Sequence, residues 1–360
     1  MSMVVAERTT IEAAFDGADY APNAVGVSGR ASRRADASAD AGRSGSAAAS
    51  AQFDDRRGRR FAVQDRVFLA VTRFFAALVL VALAGILVAL VMEGWPALRA
   101  FGPGFLVGTT WSPADDVYGA VVPGYGTIVT SAIALAIAVP VSFGIAVFLT
   151  EMCPQKLARP LGIAVELLAG IPSIIYGFWG LFVLAPVLQA HVQPLLVGTG
   201  LPIFAGPPLG IGVFTAGVVL ALMVVPFVAS VMRDVFQTVP AVLKESAYGL
   251  GCTTWEVVRH VVLPYTRIGV VGGILLGLGR ALGETMAVTF VIGNANRLSA
   301  NLFAPGNSIA STLANEFAEA DPALHIPSLF ALGLLLFVIT FVVLGVAKWL
   351  VQRSAARTGA

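Results

Sequence analysis

Six stretches of this chain are apolar for roughly the 20 residues that a helix needs to cross a ~30 Å hydrocarbon layer. Their expected limits are residues 74–92, 126–150, 167–190, 211–232, 268–292 and 328–347. The first carries no charge between Phe74 and Met92. Glycine and proline interrupt several of the others, as in Ala138-Val139-Pro140 and Ala169-Gly170-Ile171-Pro172-Ser173. Membrane helices tolerate such breaks when neighbouring helices satisfy the freed backbone groups. The pattern predicts an all-α, polytopic membrane protein with six transmembrane helices.

Composition agrees: 57% of the 360 residues are hydrophobic and only 12% charged, too little polar surface to cover a soluble domain. A soluble α/β enzyme is excluded on this ground. A net charge of +2 argues for no nucleic-acid partner. Two cysteines cannot support a disulfide framework or a four-ligand zinc site, and His191, His260 and His325 lie far apart, so no metal site is expected. His191 and His325 are expected in loops on the outer side.

Much of the charge sits in residues 1–65, a segment rich in Ala, Ser, Gly and Asp without an apolar period. It reads as a disordered tail and not as a signal peptide, because no apolar run follows the initiator. Lys and Arg then set the orientation. With the N-terminus inside, 20 of the 23 basic residues fall on the cytoplasmic side, two (Arg99, Arg297) fall outside, and Arg280 lies within a span. Both termini, including residues 354–360, are therefore expected in the cytoplasm. The outer loops carry Asp115, Asp116, Glu316, Glu319 and Asp321, which a soluble partner could meet.

The inner loop 233–267 has helix signals of its own. Pro240 suits a first turn, and Val239, Val242, Leu243, Ser246 and Leu250 recur at helical spacing. Gly249 and Gly251 stop that helix. Thr253 and Glu256 form a capping-box pattern for a second helix, which Pro264 is expected to end. The exposed apolar stripe needs either lipid or protein to cover it.

Within this loop, Glu245-Ser246-Ala247-Tyr248-Gly249-Leu250-Gly251, nine residues, Val261, and then Leu263-Pro264 resemble the EAA signature of ABC importer permeases, E-A-A-x3-G-x9-I-x-L-P. Ser246 and Val261 are mild departures. The resemblance implies a coupling helix that sits in a groove of a cytoplasmic ATPase, with Glu245, Ala247 and Gly251 at the matching positions.

A wider resemblance, over residues 66–353, is to the phosphate-importer permeases of this class. It rests on Leu168-Ala169-Gly170-Ile171-Pro172-Ser173-Ile174-Ile175-Tyr176-Gly177, on Gly279-Arg280-Ala281-Leu282-Gly283-Glu284-Thr285-Met286-Ala287 and on Ala314-Asn315-Glu316-Phe317-Ala318-Glu319. It implies the type I importer permease fold in a bacterial inner membrane. The implied partners are a second, similar permease, an ATPase dimer and an extracytoplasmic phosphate-binding protein. ATP-driven closure of the ATPases would rock the spans between outward and inward access.

Arg280 and Glu284 stand near the middle of the expected fifth span. Each costs roughly 2.5 to 3.5 kcal/mol at a helix centre and so should face protein or a water-filled path. Their i, i+4 spacing would put both on one face, within reach of each other. A self-neutralising structural pair and an anion-handling pair are both open. In the second reading the guanidinium fork, charged at every physiological pH, grips an oxyanion, and Glu284 holds Arg280 when the path is empty. Glu166 reads as structural. Asn294 and Asn296 would line the outer mouth or cap the helix end.

No G-x-x-x-x-G-K-[ST], H-E-x-x-H or G-x-S-x-G occurs. The chain is therefore expected to bind no cofactor and to borrow ATP hydrolysis, with its ATP and Mg, from the partner ATPase. A permease for another oxyanion such as sulfate or molybdate, and a channel or sensor of a different class, remain as alternatives.

Overall fold

The computed structural model describes residues 36–321 and 323–357, with side-chain surroundings for residues 64–353 apart from 322. Among the described residues, six helices are long and apolar enough to span a membrane: Gln64–Phe101, Val121–Met152, Ser173–Val197, Val213–Gln237, Thr254–Leu282 and His325–Arg353. They are called here the first to sixth spans. The first continues a helix that begins at Asp36, running back through an Ala-rich stretch where no structure was expected. Ala is the strongest helix former, which accounts for that extension. The rest of the tail assignment, residues 1–35, lies outside the described residues.

By its contacts the chain divides into Met1–Leu80 and Val81–Ala360. In the first unit the described side chains are exposed, among them Phe68, Phe74, Phe75 and Leu78, as suits a helix bathed in lipid. The second unit is built around the fourth span. Of that span's apolar window 67% is buried, against 28% or less in the others. The second span runs along it, contributing Ala134, Ala138 and Ala146 to a core with Ala216, Leu220 and Val224.

The fifth span packs on the fourth through a stripe of small residues. A Cβ on Gly269 would stand 2.6 Å from Val235 Cγ1, one on Gly273 3.1 Å from Val231 Cγ1 and one on Gly277 2.5 Å from Val228 Cγ2. Lipid supplies no hydrophobic drive between helices, so close backbone approach and dispersion must hold them together.

Three element boundaries differ from expectation. The expected span 167–190 is two helices, Gln155–Ala169 and Ser173–Val197. They are separated because Pro172 lacks an N–H and forces Ile171 out of helical conformation. Conversely, Pro264 does not end the loop helix. A π-helical turn at Val258–Val262 precedes it, and Pro264 then falls in the first turn of Leu263–Leu282, where no N–H is needed. The fifth span thus starts at Thr254. It also stops early, at Leu282, and a separate short helix follows over Met286–Val291.

At the end opposite the loop 238–253, strands Trp111–Ser112 and Val117–Tyr118 pair antiparallel, with Trp111 opposite Tyr118 and Asp116 turning the chain at φ 52°. A helix over Ile309–Glu316, capped by Ser308, lies at the same end. His191 belongs to the third span and His325 opens the sixth, so neither is in a loop.

Candidate functional site

The central site forms where the fifth span breaks. Gly283 ends the helix, and residues 283–285 cross to Met286–Val291. Irregular backbone at this depth is tolerated where it is enclosed by protein or lines a water path. The break separates the two charges that a continuous helix would have stacked. Arg280 stays in the last turn of the fifth span, where the negative end of the helix dipole favours a cation. Glu284 instead accepts a hydrogen bond from the Ala287 N–H at 3.3 Å, at the positive end of the next helix. Each charge is thus met by its own helix end. Among the described residues the two form no ion pair, which corrects the expected i, i+4 contact.

Arg280 is left available. Its Cζ lies 5.6 Å from the Phe227 ring centroid, a cation–π contact that leaves the hydrogen-bonding fork free. Its Nε is buried with no hydrogen-bond partner. A buried guanidinium N–H without an acceptor costs free energy unless something arrives to accept it.

A second site occupies the loop end. The helix Ala241–Gly249 follows Pro240 and closes with the Gly251 N–H donating to the Tyr248 carbonyl at 2.9 Å and the Cys252 N–H to that of Ala247 at 3.2 Å. Gly251 adopts φ +86°, a left-handed conformation that glycine takes without a Cβ clash. The expected capping box is present: Thr253 Oγ1 accepts from the Glu256 N–H, and Glu256 Oε2 accepts from the Thr253 N–H at 2.7 Å.

The expected stripe divides between two surfaces. Val239 is buried and Ala247 packs on the core, while Val242, Leu243, Tyr248, Leu250 and Trp255 are exposed. Glu245 is exposed beside them. Leu250, at 86% exposure, is too apolar to be a solvent residue by preference, so this face requires a cover.

Sequence reasoning missed two connections. Lys244, next to the motif glutamate, donates to Glu151 Oε1 at 2.5 Å, with side-chain exposures of 18% and 4%. This ties the loop helix to the π-helical turn Phe148–Met152 at the end of the second span. Lone charges at a span end give no sequence hint of such a partner. Glu166, on the helix Gln155–Ala169, pairs with Arg233 at 2.5 Å, in keeping with its structural reading.

At the opposite end, Glu316 is not an acid free for a soluble partner. Its Oε2 accepts from Trp111 Nε1 at 2.8 Å and lies 2.8 Å from His325 Nε2, while Tyr118 stacks on His325 at 5.4 Å. Burial, and then the Asp116 carboxylate, push the Tyr118 hydroxyl up to about 12. Asn294 donates to the Thr289 carbonyl at 3.2 Å and accepts from Ser311 Oγ at 2.6 Å, and Asn296 accepts from Asn307 at 2.7 Å. Both asparagines tie down a helix end and its loop. Among the described residues no three His, Cys, Asp or Glu side chains cluster as a metal would require.

Residues 138–355 match the family described as binding-protein-dependent transport system inner membrane component. The chain belongs to that family: it is a multi-pass membrane subunit of a transport system, not an ATPase.

The relatives sharpen this. The chain is 60% identical over 312 residues, 85% of its length and 95% of the other's, to the phosphate transport system permease protein PstC of Mesorhizobium japonicum. It is 57% identical over 299 residues, 81% of its length and 93% of the other's, to that of Pasteurella multocida. Among solved structures it resembles a chain of the inward-facing MetNI methionine ABC transporter, with a TM-score of 0.50, 18% identity, and coverage of 65% of this chain and 95% of that one. That likeness concerns the fold.

Proposed function

We propose that this chain is the permease subunit of an ATP-driven importer of inorganic phosphate. The observation that carries the proposal is the 60% identity to a phosphate transport permease across nearly its whole length. Arg280, with a buried and unpartnered Nε at the break in the fifth span, supplies chemistry that fits a phosphate oxygen. Glu284, held by the Ala287 N–H, bounds the same break and sets a negative charge near the path. A site with one strong donor and a nearby carboxylate binds an oxyanion weakly enough to release it.

In this reading a second, similar permease completes the path. A phosphate-binding protein delivers the anion at the end bearing Trp111 and Glu316. An ATPase dimer covers Val242, Leu243 and Leu250, contacts Glu245 and Gly251, and contributes the ATP and Mg that this chain does not bind; Ala247, expected at this contact, instead packs on the core and seats the loop helix. The loop 238–253 and both termini lie in the cytoplasm, in accord with the distribution of Lys and Arg.

The test is phosphate uptake by reconstituted transporter carrying Arg280→Ala. Loss of one charge-assisted donor should lower uptake by about tenfold or more while assembly and ATP hydrolysis persist. Uptake equal to wild type would remove Arg280 from the path. Loss of phosphate uptake in favour of sulfate or molybdate uptake by the unaltered chain would overturn the choice of anion.

A further inference from the structure

A cationic cavity lies at the loop end of the spans, apart from the central break. It has a volume of about 900 Å³ and is lined by Lys156, Arg159, Arg233, Glu166, Gln155 and Gln237, among others. Three cations face one carboxylate. Arg233 is already engaged by Glu166 at 2.5 Å and Asp234 at 2.9 Å, whereas Lys156 and Arg159 have no ion-pair partner among the described residues.

The helix Gln155–Ala169 forms one wall. Pro154 precedes it and no side chain caps its first turn, so the positive end of its dipole adds to the two free cations. Gly162 brings the helix against Arg233, because a Cβ there would collide with the guanidinium Nη1. The same helix exposes Leu157, Leu161, Leu167 and Leu168. One element thus presents apolar side chains and free positive charge together at the end of a bilayer-spanning bundle.

We infer that this cavity binds a phosphate group, carried by an anionic phospholipid or as the free anion. Basic pockets between membrane helices recognise phosphate-bearing headgroups by charge and hydrogen bonding. The cavity is far larger than one phosphate, leaving room for a headgroup or for a hydrated anion. The inference does not depend on what the central break transports.

The test uses the purified full-length chain in its transporter complex, with Arg280→Ala introduced to silence the central break. One arm places it in nanodiscs of phosphatidylcholine with phosphatidylglycerol and counts retained phosphatidylglycerol by native mass spectrometry. The other measures inorganic phosphate by equilibrium dialysis. Binding in either arm should weaken about fivefold for Lys156→Gln or Arg159→Gln, and about 25-fold for both.

Glu166→Gln should tighten binding by a similar factor, since it removes the one carboxylate lining the cavity and leaves Arg233 held by Asp234 alone. Misfolding cannot produce that gain. A lipid-arm response alone assigns a headgroup site, and a dialysis response alone assigns a free-phosphate site. Binding in neither arm, or binding indifferent to all three residues, overturns the inference.

Discussion

The ion pair between Lys244 and Glu151 joins the loop helix to the membrane-spanning bundle, and its removal should be felt in both stability and coupling. At 4% and 18% exposure the two side chains are largely out of water. Charge centres about 4 Å apart attract by about 4 kcal/mol at an effective dielectric of about 20. Removing one partner from such a pair costs about 3 to 5 kcal/mol, because the remaining charge stays buried without compensation. Glu151→Gln keeps an acceptor for Lys244, so a cost near 3 kcal/mol is expected, enough to loosen the helix Ala241–Gly249 from the turn Phe148–Met152. The assembled transporter carrying Glu151→Gln should take up several-fold less substrate per ATP hydrolysed. Chemical unfolding should show the lost stability. The reversed pair, Glu151→Lys with Lys244→Glu, should restore most of both. If Glu151→Gln unfolds within about 0.5 kcal/mol of wild type and keeps its uptake per ATP, the pair is not a mechanical link.

Gly277→Ala sets a methyl 2.5 Å from Val228 Cγ2 and should destabilise the chain by about 1 to 3 kcal/mol, seen as a lower unfolding midpoint. Gly272→Ala, with nothing within 4 Å, should be nearly neutral. Tyr118 keeps its proton in the fold up to about 12, while in the unfolded chain it ionises near the ordinary tyrosine value of about 10. Its stabilising contribution is therefore whole below about pH 10 and lost as pH rises from there toward 12, a loss that Tyr118→Phe should abolish. Thr253→Ala removes the capping box and should cost about 1 kcal/mol, read by unfolding of the solubilised chain.

How much was legible follows from which forces act locally. The number and rough placement of the spans came directly from runs of apolar residues, since the bilayer imposes one length on every helix. The capping box at Thr253 and the αL glycine at Gly251 were readable for the same reason, because their hydrogen bonds close within a few residues. Arg280 and Glu284 stood out because charge is scarce in an apolar span.

Their arrangement was not legible. Whether a glycine in a run of apolar residues ends a helix depends on what can satisfy the freed backbone groups. At Gly283 the answer involves Glu284 turning to the Ala287 N–H. Pro264, expected to break a helix, is absorbed by a π turn, whereas Pro172 does break one.

The sequence by itself determined that this chain lives in a membrane, how many times it can cross, and where its docking signature lies. Only the tertiary structure decided which charges are spent and which are free: Glu151 on Lys244, Glu166 on Arg233 and Glu316 on Trp111 and His325, with the Nε of Arg280 left without a partner. Those pairings join residues up to 205 positions apart, and a low-dielectric interior makes each too costly to leave to chance.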